Sequence, residues 1–121
     1  MSARGGRISA ERGGAVAFRN GFPASPGQPP IVPRRHVTRL TDLEPDELTD
    51  LWLLGTSLCR DLERSLGASA FNLGMNVGRA AGQTVDHLYL HVIPRYQGDV
   101  ADPRGGVRWV LPGRARCWGD K

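Results

Sequence analysis

The chain has 121 residues, of which 40% are hydrophobic and 23% charged, with a formal net charge of +4. This fits one soluble globular domain; it is too short for two independent cores and too apolar for a disordered chain. No apolar run approaches the ~20 residues that span a bilayer. The Arg- and Gly-rich stretch from Met1 to Gly14 lacks the apolar segment of a secretory signal. A cytoplasmic location is expected, with no membrane partner.

Fifteen of the 16 basic residues are arginine, and Lys121 is the single lysine. Arginine's planar fork matches phosphate and carboxylate, so an anionic small molecule is the expected partner; nucleic acid is not. The two cysteines, Cys59 and Cys117, have neither a disulfide framework nor metal-ligand spacing. Cys59 falls on an apolar helix stripe and reads as core.

In chain order, residues 1–6 read as a frayed end, 7–112 as the domain and 113–121 as a tail. Arg7 to Glu11 suits a short edge strand, Gly13-Gly14 a hairpin turn, and Ala15 to Arg19 a second strand. Gly21 to Pro30 is a Gly/Pro loop, and Ile31-Val32 a short strand stopped by Pro33. Thr41 to Gly67 carries the clearest helix signal. Pro45 suits the first turn, and Asp46 and Glu47 complement the helix dipole. Leu48, Leu51, Trp52, Leu58, Cys59, Leu62 and Leu66 form a stripe, and Gly67 is a natural stop. Ala70 to Val77 reads as a strand, Gly78 to Gln83 as a loop, His87 to Ile93 as a strand stopped by Pro94, and Val107 to Leu111 as a last short strand or extended piece. Strands, one long helix, then strands argue an α+β fold with an antiparallel sheet.

Alternation along the strand places His87, Tyr89, His91 and Ile93 on one face and Leu88, Leu90 and Val92 on the other, toward the helix. Two histidines four residues apart on a strand lie ~13 Å apart, too far to grip one ion. No metal site and no cofactor are expected. Just upstream, Gly82-Gln83-Thr84 can present backbone N–H groups and an amide to a phosphate. Arg79 and Arg95 flank the row.

The run from Asn72 to Arg95, which contains Gly82-Gln83-Thr84 and His87-Leu88-Tyr89-Leu90-His91-Val92-Ile93-Pro94-Arg95, strongly resembles the histidine triad (HIT) family. The likeness extends to Asp102-Pro103-Arg104-Gly105-Gly106-Val107-Arg108 downstream and Val32-Pro33-Arg34-Arg35-His36-Val37 upstream, covering about Arg7 to Pro112. The resemblance implies a five-stranded antiparallel sheet with one long helix packed on it, a symmetric homodimer, and a nucleotide cleft beside the histidine row. In the family's hydrolases and transferases, the middle histidine of a His-φ-His-φ-His strand attacks the α-phosphorus and a nucleotidyl-imidazole is resolved by water or another acceptor. By position, His87 and His91 are the outer pair, Gln83 and Thr84 the phosphate-binding turn, Asn20 the ribose residue and Asn76 an active-site asparagine, with Arg95 beside the row.

The resemblance also implies two departures. Tyr89 stands at the middle histidine, and Gln28 stands at the histidine of a Pro-Gly-His turn. The N-terminal Cys pair and zinc site of some members have no counterpart here. An ordinary phenol, with pKa ≈ 10, is only about 0.1% ionised at pH 7, and a nucleotidyl-tyrosine is a phosphodiester that resists water. Ordinary HIT hydrolysis is therefore expected to be weak or absent. Three readings follow: an enzyme with altered chemistry using Tyr89 as general acid or base, or His91 as base; a nucleotide-binding pseudoenzyme or sensor; or an ordinary phosphoramidate or dinucleoside polyphosphate hydrolase.

Overall fold

Gly13 and Gly14 close an antiparallel hairpin between β1 (Arg7–Arg12) and β2 (Ala15–Arg19). The computed structural model describes residues 7–19 and 30–116. Gly13 has a φ of +50°, and a Cβ there would overlap the Asp50 carboxylate, which accepts the Gly14 N–H at 2.9 Å. Gly13→Ala is therefore expected to cost about 1–2 kcal/mol through left-handed strain and loss of that contact. The denaturation midpoint measures the loss.

β3 (Pro30–Pro33), α1 (Pro45–Leu66), β4 (Ala70–Gly74) and β5 (Leu90–Arg95) complete the fold. The strands form a five-stranded sheet in the order β1-β2-β3-β5-β4, and every pairing is antiparallel. The expected α+β architecture, with one long helix on the sheet, is the observed one. The strand ending in Pro94 begins and ends later than expected. Ladder pairing runs from Leu90 to Arg95, includes Pro94 opposite Phe71, and leaves His87 and Tyr89 just before the strand.

α1 begins at Pro45, later than Thr41, because Leu40–Asp42 forms its own 3-10 turn. The Glu47 carboxylate accepts the Glu44 N–H at 2.8 Å and pairs with Arg35 at 2.7 Å, closing the helix entry. The Arg35 guanidinium, followed by the Glu44 N–H, holds the Glu47 carboxyl below its ordinary pKa. Gly67, at φ +68°, ends the helix with its N–H on the Leu62 carbonyl.

The buried helix face is Leu51, Leu54, Gly55, Leu58 and Leu62. The expected stripe was rotated: Leu48, Trp52 and Leu66 are exposed, Cys59 is half-buried against the core, and Leu54 and Gly55 face the sheet. Gly55 allows a close approach, since a Cβ there would sit 3.4 Å from the Leu90 side chain.

The sheet has two apolar faces. Ala15, Ala17, Ile31, Leu90 and Val92 pack under α1. Val16, Phe18 and Val32 form a second cluster, and Tyr89 packs on it. The segment expected to extend from Val107 to Leu111 is instead a 3-10 turn over Gly106–Val110. Gly105, at φ +94°, opens it, and the Trp109 indole N–H donates to the Arg104 carbonyl at 2.6 Å.

Candidate active site

Thirteen residues lead from the Gly74 end of β4 to Asp86, and they fold back on themselves rather than crossing the sheet. The turn depends on Gly78 and Gly82, both near φ +95°, which flank the short 3-10 helix Arg79–Ala81. Gln83 ties this loop together. Its Oε1 accepts the Gly78 N–H at 2.7 Å, its backbone N–H reaches the Gly78 carbonyl at 3.1 Å, and its Nε2 donates to the Thr38 carbonyl at 3.1 Å. A longer bond from the same Nε2 reaches the His87 carbonyl at 3.5 Å. The Gln83 side chain thus holds backbone on both sides and fixes the shape of the turn it belongs to.

A second set of bonds anchors the start of the histidine row to the stretch after β3. The Leu88 N–H donates to the Val37 carbonyl at 2.7 Å, and the Thr38 hydroxyl donates to the Asp86 carboxylate at 2.9 Å. His36 Nε2 lies 2.6 Å from the Asp86 carbonyl, so that nitrogen carries the proton and donates. The His36 ring then stacks on His87, with centroids 5.0 Å apart and planes 12° from parallel. In the sequence His36 is one residue of the Val32-Pro33-Arg34-Arg35-His36-Val37 stretch. Its partner lies about fifty positions away in sequence, a separation that no local pattern reveals.

From His87 the row continues as read from the alternation. The Tyr89 ring is 6.1 Å from His87 and 6.2 Å from His91. His87 is buried, whereas Tyr89 and His91 are half-buried. Burial lowers the His91 pKa from its ordinary value, which favours neutral imidazole at pH 7. Leu88, Leu90 and Val92 are fully buried on alternate positions, as expected.

Tyr89, His87 and His91 share a cleft of about 190 Å³ with Asn76, Gln83 and Thr84, so six of the expected site residues come together. Arg95 does not line this cleft. It lies four residues beyond His91 on β5, donates twice to the Asp99 carboxylate at 2.8 Å, and reaches the Asn72 side-chain oxygen at 2.6 Å. The Arg95 guanidinium, followed by the Tyr96 N–H, holds the Asp99 carboxyl far below its ordinary pKa. Asn20 and Gln28 lie outside the described residues. Among the described residues no group of three His, Cys, Asp or Glu converges as a metal site would.

Comparison with known proteins places this cleft in context. The HIT domain model matches residues 6–98. The chain is 42% identical over 88 residues to the asymmetrical bis(5'-nucleosyl)-tetraphosphatase of Schizosaccharomyces pombe, covering 73% of this chain and 48% of that protein. It is 43% identical over 85 residues to the Arabidopsis thaliana bifunctional bis(5'-adenosyl)-triphosphatase/adenylylsulfatase FHIT, covering 70% and 47%. The chain thus spans about half the length of these relatives. Among solved structures, Plasmodium falciparum diadenosine triphosphate hydrolase in complex with cyclomarin A superposes with a TM-score of 0.72 at 27% identity, covering 78% of this chain and 65% of that one. The fold, the cleft and the matched sequence lead to one conclusion: this chain belongs to the HIT domain family.

Proposed function

We propose that the cleft binds the phosphates of a nucleotide, and that the chain is a nucleotidyl hydrolase or transferase relative with altered chemistry, in which Tyr89 takes the place of the middle histidine. What carries this reading is the retained row: His87, Tyr89 and His91 are spaced about 6 Å apart along one wall, with Asn76, Gln83 and Thr84 on the same cleft. The names of the relatives, which act on dinucleoside polyphosphates, supply the substrate class.

In this mechanism, water attacks the α-phosphorus directly. Its proton passes to neutral His91, the bond from phosphorus to the leaving oxygen breaks, and the Tyr89 hydroxyl donates its proton to that oxygen. His91 then returns a proton to Tyr89, restoring both groups. The Thr84 hydroxyl binds the phosphate oxygens, and Gln83, whose side chain and N–H both engage Gly78, holds the glycine turn beneath it in shape. Without a nucleophilic imidazole the cycle runs well below the ~10 s⁻¹ typical of enzymes. A second reading, binding without turnover, is favoured by the inertness of a tyrosyl phosphodiester. Calorimetric nucleotide binding with no product release over hours would select it. Absence of AMP or diadenosine tetraphosphate binding would sink both. A homodimer of this chain also belongs to the proposal: among the described residues β4 is an outer strand of the sheet, the kind of edge on which a second copy can pair.

The His91 environment gives a pH test. Its folded pKa is lowered, so as pH falls through the ordinary value of about 6.5 the unfolded chain takes up a proton before the folded one does. Stability is therefore lost as pH falls through that value, and the loss levels off below the folded pKa. An NMR titration of the His91 ring is expected to show a midpoint below 6.5. The acid limb of the rate profile follows that midpoint and disappears in His91→Asn. A midpoint at or above 6.5 contradicts the assignment of His91 as a neutral base.

A further inference from the structure

The cleft over the histidine row is smaller than its proposed ligand. At about 190 Å³ it falls below the roughly 300–1,000 Å³ of sites that enclose a small molecule, so the rest of the ligand must extend beyond it. Two openings adjoin it. One is a groove of about 440 Å³ that shares Asn76 and His91 with the cleft and is lined by Met75, Ile93, Val107 and Val110. The other is a cavity of about 910 Å³ that shares Gln83, Thr84 and Val85 with the cleft and is lined by Arg39 and Arg79. Thr38 and Asp86 also line it, and the Asp86 carboxylate accepts the Thr38 hydroxyl at 2.9 Å.

The two openings differ in charge. Arg34, Arg35, Arg64, Arg95 and Arg104 each pair with a carboxylate. Arg39 and Arg79 are exposed, and among the described residues neither guanidinium group appears in an ion pair or a hydrogen bond; only their backbone carbonyls accept, from the Asp42 and Gly82 N–H groups. Two guanidinium groups without a carboxylate partner line that cavity against one carboxylate, Asp86, which gives its lining a net positive charge. Moving phosphates into the apolar groove would cost their desolvation without compensating charge. Moving them past Thr84 toward the arginines would replace water with forked, charge-assisted bonds.

We infer that the phosphate chain of the ligand continues from the His87–Tyr89–His91 cleft over Thr84 into the Arg39/Arg79 cavity, making the site selective for ligands that carry several consecutive phosphates. This inference rests on the nucleotide reading above and deepens it by naming the residues that count phosphates. Arg39 lies on the segment after β3 and Arg79 on the 3-10 turn before Gly82, and neither lines the cleft over the histidine row, so a single phosphate held there engages neither.

The test is calorimetric binding of AMP, ATP and inorganic tripolyphosphate to the full chain, to the double variant Arg39→Gln/Arg79→Gln, and to Arg60→Gln on the solvent side of α1. ATP is expected to bind wild type at least about tenfold more tightly than AMP, and tripolyphosphate to bind measurably. In the double variant, tripolyphosphate affinity should fall at least about tenfold and the gap between ATP and AMP should close, while Arg60→Gln stays within about twofold of wild type. All three proteins should melt alike, since the substituted side chains are exposed. Equal AMP and ATP affinities in wild type, or tripolyphosphate binding retained in the double variant, would overturn the inference. AMP binding without that selectivity removes this inference and leaves the nucleotide reading standing. Arginine-dependent tripolyphosphate binding without AMP binding does the reverse. Absence of all binding removes both.

Discussion

Tyr89→His is expected to raise kcat/KM on diadenosine tetraphosphate or adenosine phosphoramidate at least about 100-fold, equivalent to about 2.7 kcal/mol of transition-state stabilisation. The chemistry of the two rings sets the direction. Imidazole is neutral and nucleophilic at pH 7, and the phosphorus–nitrogen bond it forms is readily split by water. A phenol is almost entirely protonated there, and the ester it would form is stable. The surroundings are already arranged: His87 and His91 flank position 89 at about 6 Å, and Asn76, Gln83 and Thr84 share the cleft. A smaller ring uncovers part of the Val16, Phe18 and Val32 cluster beneath Tyr89, so a modest loss of stability should accompany the gain. The comparison is made by steady-state kinetics, with AMP affinity as the control for an intact cleft. Unchanged turnover in a variant that still binds AMP would show that the middle position does not limit the chemistry.

Leu90→Ala is expected to cost about 2–5 kcal/mol. Leu90 is fully buried on β5, pairs with Ile31 across the sheet, and packs toward Gly55 on α1. Truncation removes its apolar contacts and leaves a void between helix and sheet that a glycine on the helix side cannot fill. Leu90 also lies between Tyr89 and His91, so the void bears on the spacing of the His87–Tyr89–His91 row. Denaturant unfolding should show a lower midpoint, and nucleotide affinity should fall in protein that remains folded. Leu90→Met, which nearly conserves volume, should lose less than about 1.5 kcal/mol. Equal losses for the two variants would contradict the cavity explanation.

The strand alternation carried most of what the sequence reveals about the site. Leu88, Leu90 and Val92 go inward, while His87, Tyr89 and His91 line the opposite side, because a period of two leaves little freedom once one face is buried. The helix was legible in existence and end, through Pro45 and Gly67, but not in rotation. Leu48, Trp52 and Leu66 fit an apolar stripe as well as Leu54 does, and the choice depends on a sheet whose surface requires Gly55 at the contact. Arg95 reads as a neighbour of the row because it shares the strand face with His91. Its four-residue offset corresponds to ~13 Å, and the Asp99 carboxylate occupies its guanidinium. The His36–His87 stack and the Gln83–Thr38 bond are tertiary contacts between segments some forty-five to fifty residues apart, for which the sequence carries no periodic signal. The valine-rich stretch from Val107 to Leu111 has strand composition, yet Gly105 and Gly106 and the Trp109 bond to Arg104 wind it into a 3-10 turn.

The central claim is that this HIT cleft handles nucleotides through Tyr89 without a covalent nucleotidyl-enzyme. Time-resolved intact-protein mass under single-turnover conditions, with wild-type chain in excess over diadenosine tetraphosphate and quenched in acid, tests it most directly. The expected result is slow appearance of AMP and ATP while the protein mass stays that of the unmodified chain at every time point. Accumulation of a protein species carrying one adenylyl group, mapped to Tyr89, would contradict the account and make the phenol the nucleophile.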